Sequence, residues 1–594
     1  MRRAWFTLPA VTLVVALIGL TPPAAAQLDG DTEVSVGSPD GPFSRNKQNE
    51  PAVAVDANHP WVVAAGANDN IDMEACNAGT DNTCPFTDGV GGSGVYFSFD
   101  SAASWVQPTY TGLTARSPFC DGAVGETDPP CAPQVGQIGT VPNYHENGII
   151  SDGDPALSFG PVYASGEFSW DNGSRLYYAN LTSKIDPSAF RGPEAIAVAW
   201  IDGPASTGLT PAIAANQASW HDPVIASKQS GALFSDKEQI WADNAESSAF
   251  FGNVYACYAA FRGPRFASQP LIVARSNDGG QTWINRQVTS ATNNIVSPQG
   301  FGRSGCTVRT DSDGVVYVFV HAFAFGLPGF GKIQLIKSFD GGATWTRPRN
   351  IFTAVDTCNA FEPAIGRCVQ DGIGGARNDL GAAPSVDIAN GAPMGADATD
   401  QIVLTWVDGR DGLNNEHVMF TDSTNGGATW STLRQIEQGD DQGYYSAPAI
   451  SPNGTDVYLV YNAFTTPFRN NTTDPRELVG VVLHADVGGG VVGTFSEIHR
   501  GVEGDPRSSA QNNLAGEFLG DYVYAAATRD YGVAVWNDSR NGGICTAINT
   551  YRQALHDAVV NGTALPTAPP VQQMCPLDFG DSDIFGGSFA DPTP

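Results

Sequence analysis

The sequence predicts an all-β chain, a β-propeller of four-stranded antiparallel blades, seven in number with six as the alternative. Three observations predict it. Four segments repeat one turn pattern, seven units open on a short alternating strand, and Gly, Pro, Asn and Asp separate the strand-like runs without sustained 3.6-residue periodicity. Helix is expected to be scarce.

The turn pattern reads Ser98-x-Asp100 to Ser104-Trp105, Ser276-x-Asp278-Gly-Gly-x-Thr282-Trp283, Ser338-x-Asp340-Gly-Gly-x-Thr344-Trp345 and Ser423-x-Asn425-Gly-Gly-x-Thr429-Trp430. An Asp or Asn two residues after Ser bonds nearby backbone N–H groups, and the Gly residues accept the positive φ of a tight turn. The Trp then begins the next strand with its ring free to pack on a neighbouring sheet. The first copy carries Ala102 where the others have Gly, and the fourth has Asn425 for Asp.

The units open at Glu50-Pro51, Asp154-Pro155, Asp222-Pro223, Gly305, Ala383-Pro384, Ala447-Pro448 and Gly520-Asp521. Second strands rich in Val, Tyr and Phe follow, as in Val315–Val320 and Val457–Tyr461, and third strands such as Leu271–Ala274 run into the repeated turns. Four short strands per unit make a propeller blade. Asp31–Val36 is placed to add a last strand to the final blade, which closes the ring and removes its open edges.

Residues 1–26 have the pattern of a signal peptide: Arg2-Arg3, an apolar run from Val11 to Leu20, and Ala24-Ala25-Ala26 as a small-residue cleavage site. The run is short for a membrane span. The domain organisation expected is therefore 1–26 signal peptide, 27–560 propeller and 561–594 an extended C-terminal tail, in a secreted, extracellular monomer. Ten cysteines in an exported chain predict disulfides. Cys76/Cys84, Cys120/Cys131 and Cys358/Cys368 are spaced to close small loops, leaving Cys257/Cys306 and Cys545/Cys575 as longer-range pairs. A formal charge of −31 argues against nucleic acid or an anionic membrane as partner.

The repeated turn resembles the Asp box of sialidases and other BNR-repeat β-propellers, and the chain is identified as similar to that superfamily through most of its mature length. The resemblance implies extracellular glycans or glycoproteins as partners. It also implies sialidase-type glycoside hydrolase chemistry: Arg side chains hold a sugar carboxylate bidentately, an Asp is the acid/base, and a Tyr activated by a Glu is the nucleophile. Threaded in the family's order, the residues are Arg45, Asp69, Glu362, Arg377, Arg476 and Tyr522. The first Arg departs from the family's Phe/Tyr-Arg-hydrophobic-Pro motif, reading Phe43-Ser44-Arg45-Asn46-Lys47. Glu362 lies between Cys358 and Cys368, Arg476 has a rival in Arg469, and Tyr522 fits equally as a packed aromatic.

A second recurrence, Trp406-x-Asp408-x-Arg410 and Trp536-x-Asp538-x-Arg540, places Asp–Arg pairs at corresponding blade positions. They read either as turn locks or as Arg410 and Arg540 lining a central funnel for an anionic ligand. No metal centre or cofactor is expected: zinc lacks a Cys-x-x-Cys pair and the eight His are scattered, while Ca²⁺ could sit at the acidic turns Asp311-Ser-Asp313-Gly314 and Ser151-Asp-Gly-Asp154, whose better reading is solvated turns. The function expected is that of an exo-glycosidase acting on extracellular glycans, with a non-catalytic glycan- or protein-binding propeller as the alternative.

Overall fold

The computed structural model describes residues 31–77, 84, 87–116, 120, 131, 133–263, 268–291, 302–323, 331–358 and 360–593. The expected signal peptide lies outside the described residues. Alternating apolar runs pair into seven antiparallel sheets arranged as a seven-bladed propeller. The innermost strands are Gln48–Val55, Ala156–Ala164, Leu233–Ala242, Gly302–Thr310, Ser385–Ile388, Gln442–Ile450 and Tyr524–Ala527. Asp222-Pro223 does not open a blade; it lies in the outer strand Trp220–Ile225 of blade 2, and blade 3 begins at Leu233.

Period-two alternation gives each blade two apolar faces, and each face packs on one neighbour. Tyr178 thus joins a core between blades 1 and 2, while Tyr177 joins the core between blades 2 and 3. Seven such cores fill the seven blade interfaces. Trp406 and Trp536 are fully buried in two of them; truncating either to Ala should cost about 3–5 kcal/mol. Cys257–Cys306 crosses between blades 3 and 4, and all five expected disulfides form.

The ring closes through both ends of the chain. Thr32–Glu33 pairs with Asp583–Ala590, which pairs with Tyr531–Asp538 in blade 7. Residues 583–590 are therefore a strand of the last blade, in contrast to the extended tail expected after 560. Helix Thr546–Asn561 is a second departure from the sequence reading. Its buried face, Ile548, Asn549, Arg552, Leu555 and Ala558, has helical spacing, but an Arg and an Asn in that stripe mask the apolar period. The Arg552 guanidinium donates to the carbonyls of Arg507, Ser509, Leu514 and Gly516, which satisfies its buried fork.

First and third strands of a blade run the same way, so the molecule has two distinct ends. The repeated Ser-x-Asp turns follow the third strands of blades 1, 3, 4 and 5 and lie at the end where the innermost strands finish. The long insertions 70–92, 465–477 and 539–582 lie at the opposite end, where those strands begin. An axial cavity lies at the turn end; at that second end the innermost strands of blades 3 to 7 line another cavity on the axis, the channel mouth. Phe43, Cys76, Cys84, Leu514, Cys545, Ile548, Val571 and Phe579 give its insertions a small apolar core of their own. No helix among the described residues is long and apolar enough to cross a membrane.

Candidate functional site at the channel mouth

The first residues of the innermost strands carry charge to the propeller axis on irregular backbone. Glu50, Asp154 and Lys237 all have positive φ, at 58°, 51° and 59°. The pairing register shifts between Asn49 and Ala52 and again between Asp236 and Gln239. Left-handed backbone at non-Gly residues is costly, and a bulge of this kind re-aims a side chain.

Those side chains meet. Lys237 Nζ lies 3.0 Å from Asp154 Oδ2, 2.7 Å from Asp521 Oδ2 and 3.7 Å from Asp236 Oδ1. Arg377 Nη2 reaches Asp521 Oδ2 at 3.2 Å and Glu50 Oε1 at 3.7 Å, and its guanidinium sits 4.3 Å over the Phe518 ring. Asn68 Nδ2 donates to Glu50 Oε2 at 2.9 Å. Glu238, Tyr522 and Tyr524 line the adjoining cavity of about 70 Å³ with Lys237 and Asp521.

Burial and neighbouring charge shift these groups in different directions. It pushes Glu50 well above the ordinary carboxylate range, and the charges of Asp154 and Asp521 add to the effect. Glu238 is likewise pushed well up by burial, then by Asp154 and Asp236. Both of its oxygens are buried without a hydrogen-bond partner among the described residues. Burial also acts to raise Asp521, but Arg377 and Lys237 outweigh it and hold the group down to about 2. Carboxyls pushed up and a carboxyl held down thus share one site, the kind of separation on which acid–base assignments rest. Lys47, lowered to about 7 by burial and by Arg377, flanks the group.

Beside Glu50 a wider cavity of about 340 Å³ is lined by Lys47, Asn49, Asn68, Asn70, Asp152 and Phe518, among others. The Nδ2 atoms of Asn49 and Asn70 are buried without protein acceptors among the described residues. Amide donors beside an aromatic ring suit a polyhydroxylated ligand.

Of the residues expected from sequence, the mouth gathers Arg377 and Tyr522. Burial, followed by Asp154, Glu50 and Glu238, pushes the Tyr522 phenol well up, which keeps it neutral. Asp69 is fully buried, accepting from Gln48 Nε2 at 2.8 Å, Tyr96 OH at 2.7 Å and Gln107 Nε2 at 2.8 Å. Glu362 lies 2.8 Å from His556 Nδ1 of the helix and accepts from the Ala364 N–H at 2.9 Å. Arg476 is fully buried between Asp371 and Glu517 and donates to the carbonyl of Ile373 at 2.7 Å. Arg45 is half-buried in the turn before the first innermost strand.

Arg410 and Arg540 both hold turn locks. Each Arg grips the Asp two residues earlier: Nε to Oδ1 at 2.9 and 3.0 Å, Nη2 to Oδ2 at 2.8 and 2.7 Å. The Trp Nε1 donates to the same Asp at 2.8 Å in one copy and 3.2 Å in the other. The Asp311 turn also locks on itself, accepting from Val315 N–H at 2.8 Å and Tyr317 OH at 2.9 Å, while Asp154 of the other acidic turn meets Lys237.

Sequence reading missed Glu50, Asp154, Lys237, Glu238 and Asp521 as a group. The available signal was the acid-Pro pair that opens two units, Glu50-Pro51 and Asp154-Pro155. The same pair at Asp222-Pro223 lies in an outer strand, so the pattern alone does not place a side chain on the axis.

No protein-family model and no curated protein matches the chain. Solved structures do. A Hadza microbial sialidase is 14% identical at a TM-score of 0.38, over 70% of this chain and 63% of that one. The leech intramolecular trans-sialidase is 12% identical at 0.36, over 70% and 65%. A Trypanosoma rangeli sialidase is 14% identical at 0.37, over 74% and 54%. The chain thus spans less than two thirds of each. Likeness at this level says nothing of the chemistry at the mouth.

Proposed function

We propose that this is a secreted, glycan-active propeller, an exo-glycosidase that works on extracellular glycans through the carboxyl cluster at its channel mouth. The observation that supports it is the meeting of Glu50 and Asp521 on Arg377 beside the Asn-lined cavity. In this reading a sugar ring sits against Asn49, Asn70 and Phe518. Glu50 is the proton donor to the leaving oxygen, and Asp521 is the ionised carboxylate that stabilises developing positive charge. Five disulfides fit an extracellular setting.

A sialoside fits the site less well than a sugar without a carboxylate. Arg45, Arg377 and Arg476 are not arranged as one clamp, because Arg476 is spent on Asp371 and Glu517. Lys237 and Arg377 are already paired with Asp154 and Asp521. The test is fluorogenic release from a panel of neutral, N-acetylated and sialic-acid glycosides. The expected result is turnover of a neutral or N-acetylated glycoside that falls at least about 10²-fold in Glu50→Gln, with sialoside release slower. Sialoside as the preferred substrate, abolished by Tyr522→Phe, would restore the Tyr-nucleophile chemistry in its place.

The closed ion network favours a second reading, a non-catalytic glycan-binding propeller, because Lys237 and Arg377 already have carboxylate partners. Glycan binding without turnover of any panel member selects it. Neither binding nor turnover removes both readings.

A further inference from the structure

At the turn end, blades 3, 4 and 6 share one register position, a basic side chain on the third strand opposite a Tyr on the second. The pairs are Tyr255↔Arg275, Tyr317↔Lys337 and Tyr458↔His484. Arg275 Nη1 donates to Gly341 O of the next blade at 2.8 Å, and Lys337 Nζ donates to Gly426 O. Each stitches its blade to the repeated turn of the following one. Blade 7 has no such turn for His484 to reach.

Three carboxylates surround His484 instead. Asp456 and Asp486 stand directly opposite each other across the second and third strands of blade 6. Asp591 follows the Asp583–Ala590 strand of blade 7. Like charges in register across a strand pair are destabilising unless a cation lies between them. Among the described residues, no Lys or Arg forms an ion pair with any of the three. His484 Nε2 lies 3.2 Å from Asp456 Oδ1 and 3.7 Å from Asp591 Oδ1. One donor atom from each of the four residues falls within 4.8 Å of all the others. His484 and Asp456 are buried, whereas Asp486 is exposed and Asp591 half-buried, so the cluster has a floor and an open rim.

We propose that Asp456, His484, Asp486 and Asp591 bind a first-row divalent transition-metal ion, Zn²⁺ or Mn²⁺ in kind, that clamps blade 6 to blade 7. The ion supplies at this interface the positive charge that Arg275 and Lys337 supply at theirs. One imidazole nitrogen with three carboxylates is a ligand set for such ions; Ca²⁺ takes oxygen ligands throughout. Because Asp591 belongs to the segment that closes the ring, the clamp would reinforce closure where the turn stitch is missing.

The test is calorimetric titration of chelator-treated protein with ZnCl₂, MnCl₂ and CaCl₂. One equivalent of Zn²⁺ or Mn²⁺ is expected to bind, and to raise the melting temperature. Asp486→Asn and Asp591→Asn should each weaken that binding at least about tenfold. These two sites are not fully buried, so their variants carry the test even if His484→Gln fails to fold. Three results would overturn the proposal: no uptake, uptake unchanged in both Asp variants, or Ca²⁺ binding at least as tightly as Zn²⁺ and Mn²⁺.

Discussion

Asp278 at the turn end and Glu238 at the mouth live under opposite conditions. At the turn end, Asp278 accepts from Ser276 Oγ at 2.8 Å, Thr282 N–H at 2.9 Å and Thr282 Oγ1 at 2.5 Å. Burial acts to raise it, but these bonds outweigh burial and hold it below the ordinary range. At the mouth, Glu238 is buried with both oxygens unpartnered among the described residues, and burial pushes it well up. The first arrangement is complete in itself and stabilises a turn. The second is unfinished, and an unfinished buried polar site marks chemistry better than a satisfied one.

The sharpest way to break this division is a mouth-side residue that behaves structurally. Arg476→Met would leave Asp371 and Glu517 buried without their cation, and urea unfolding should show a loss of about 3–5 kcal/mol. A small loss would mean that Arg476 is available to a ligand after all.

A smaller effect is expected at the turn end. Asp278→Ala removes three side-chain bonds and should cost roughly 1 kcal/mol while leaving glycan turnover and binding unchanged. The pH dependence follows from the sign of the shift. A depressed carboxyl stabilises the fold above its unfolded value near about 3.9, and that contribution is lost as pH falls through the lower folded value. Wild-type protein should therefore lose more stability below about pH 4 than Asp278→Ala does, as read by acid titration of unfolding.

The smallest expected change is favourable. Ser101 and Ala102 occupy the Gly-Gly positions of the first turn with φ of 63° and 64°, where Gly279 and Gly280 have 76° and 90°. Its bonds form all the same, from Ala102 N–H to Ser98 Oγ and from Ser104 N–H to Asp100 Oδ1, both at 2.9 Å. Ser101→Gly relieves left-handed strain at a cost in chain entropy, and a net gain of up to about 1 kcal/mol is expected in thermal unfolding.

The same contrast explains what the sequence disclosed. Each Ser-x-Asp turn is determined within eight residues, so its hydrogen bonds are written in its own segment and recur visibly. Blade count followed from strand patterns of similar range, whereas the closing strand Asp583–Ala590 did not, because it pairs with Thr32–Glu33 at the other end of the chain. The mouth is different, because Arg377 meets Asp521 across 144 positions and Lys237 meets it across 284. No local pattern encodes such a meeting, and a threading by residue type selected Asp69 and Arg476, both satisfied in the interior. The same threading reached Tyr522 and Arg377, which do lie at the mouth. Glu50 and Asp154 were in view as strand openers, but their convergence depends on bulges that the sequence does not announce.

Glu238→Gln, measured for stability and for glycoside turnover in the same preparation, tests the central claim most directly. A carboxyl with a raised folded pKa opposes folding increasingly as pH rises from its unfolded value to its folded one. At neutral pH the amide should therefore be more stable than wild type by an amount on the order of 1 kcal/mol, with turnover reduced or lost. A variant that is less stable and fully active would contradict the assignment of the channel mouth as the working site.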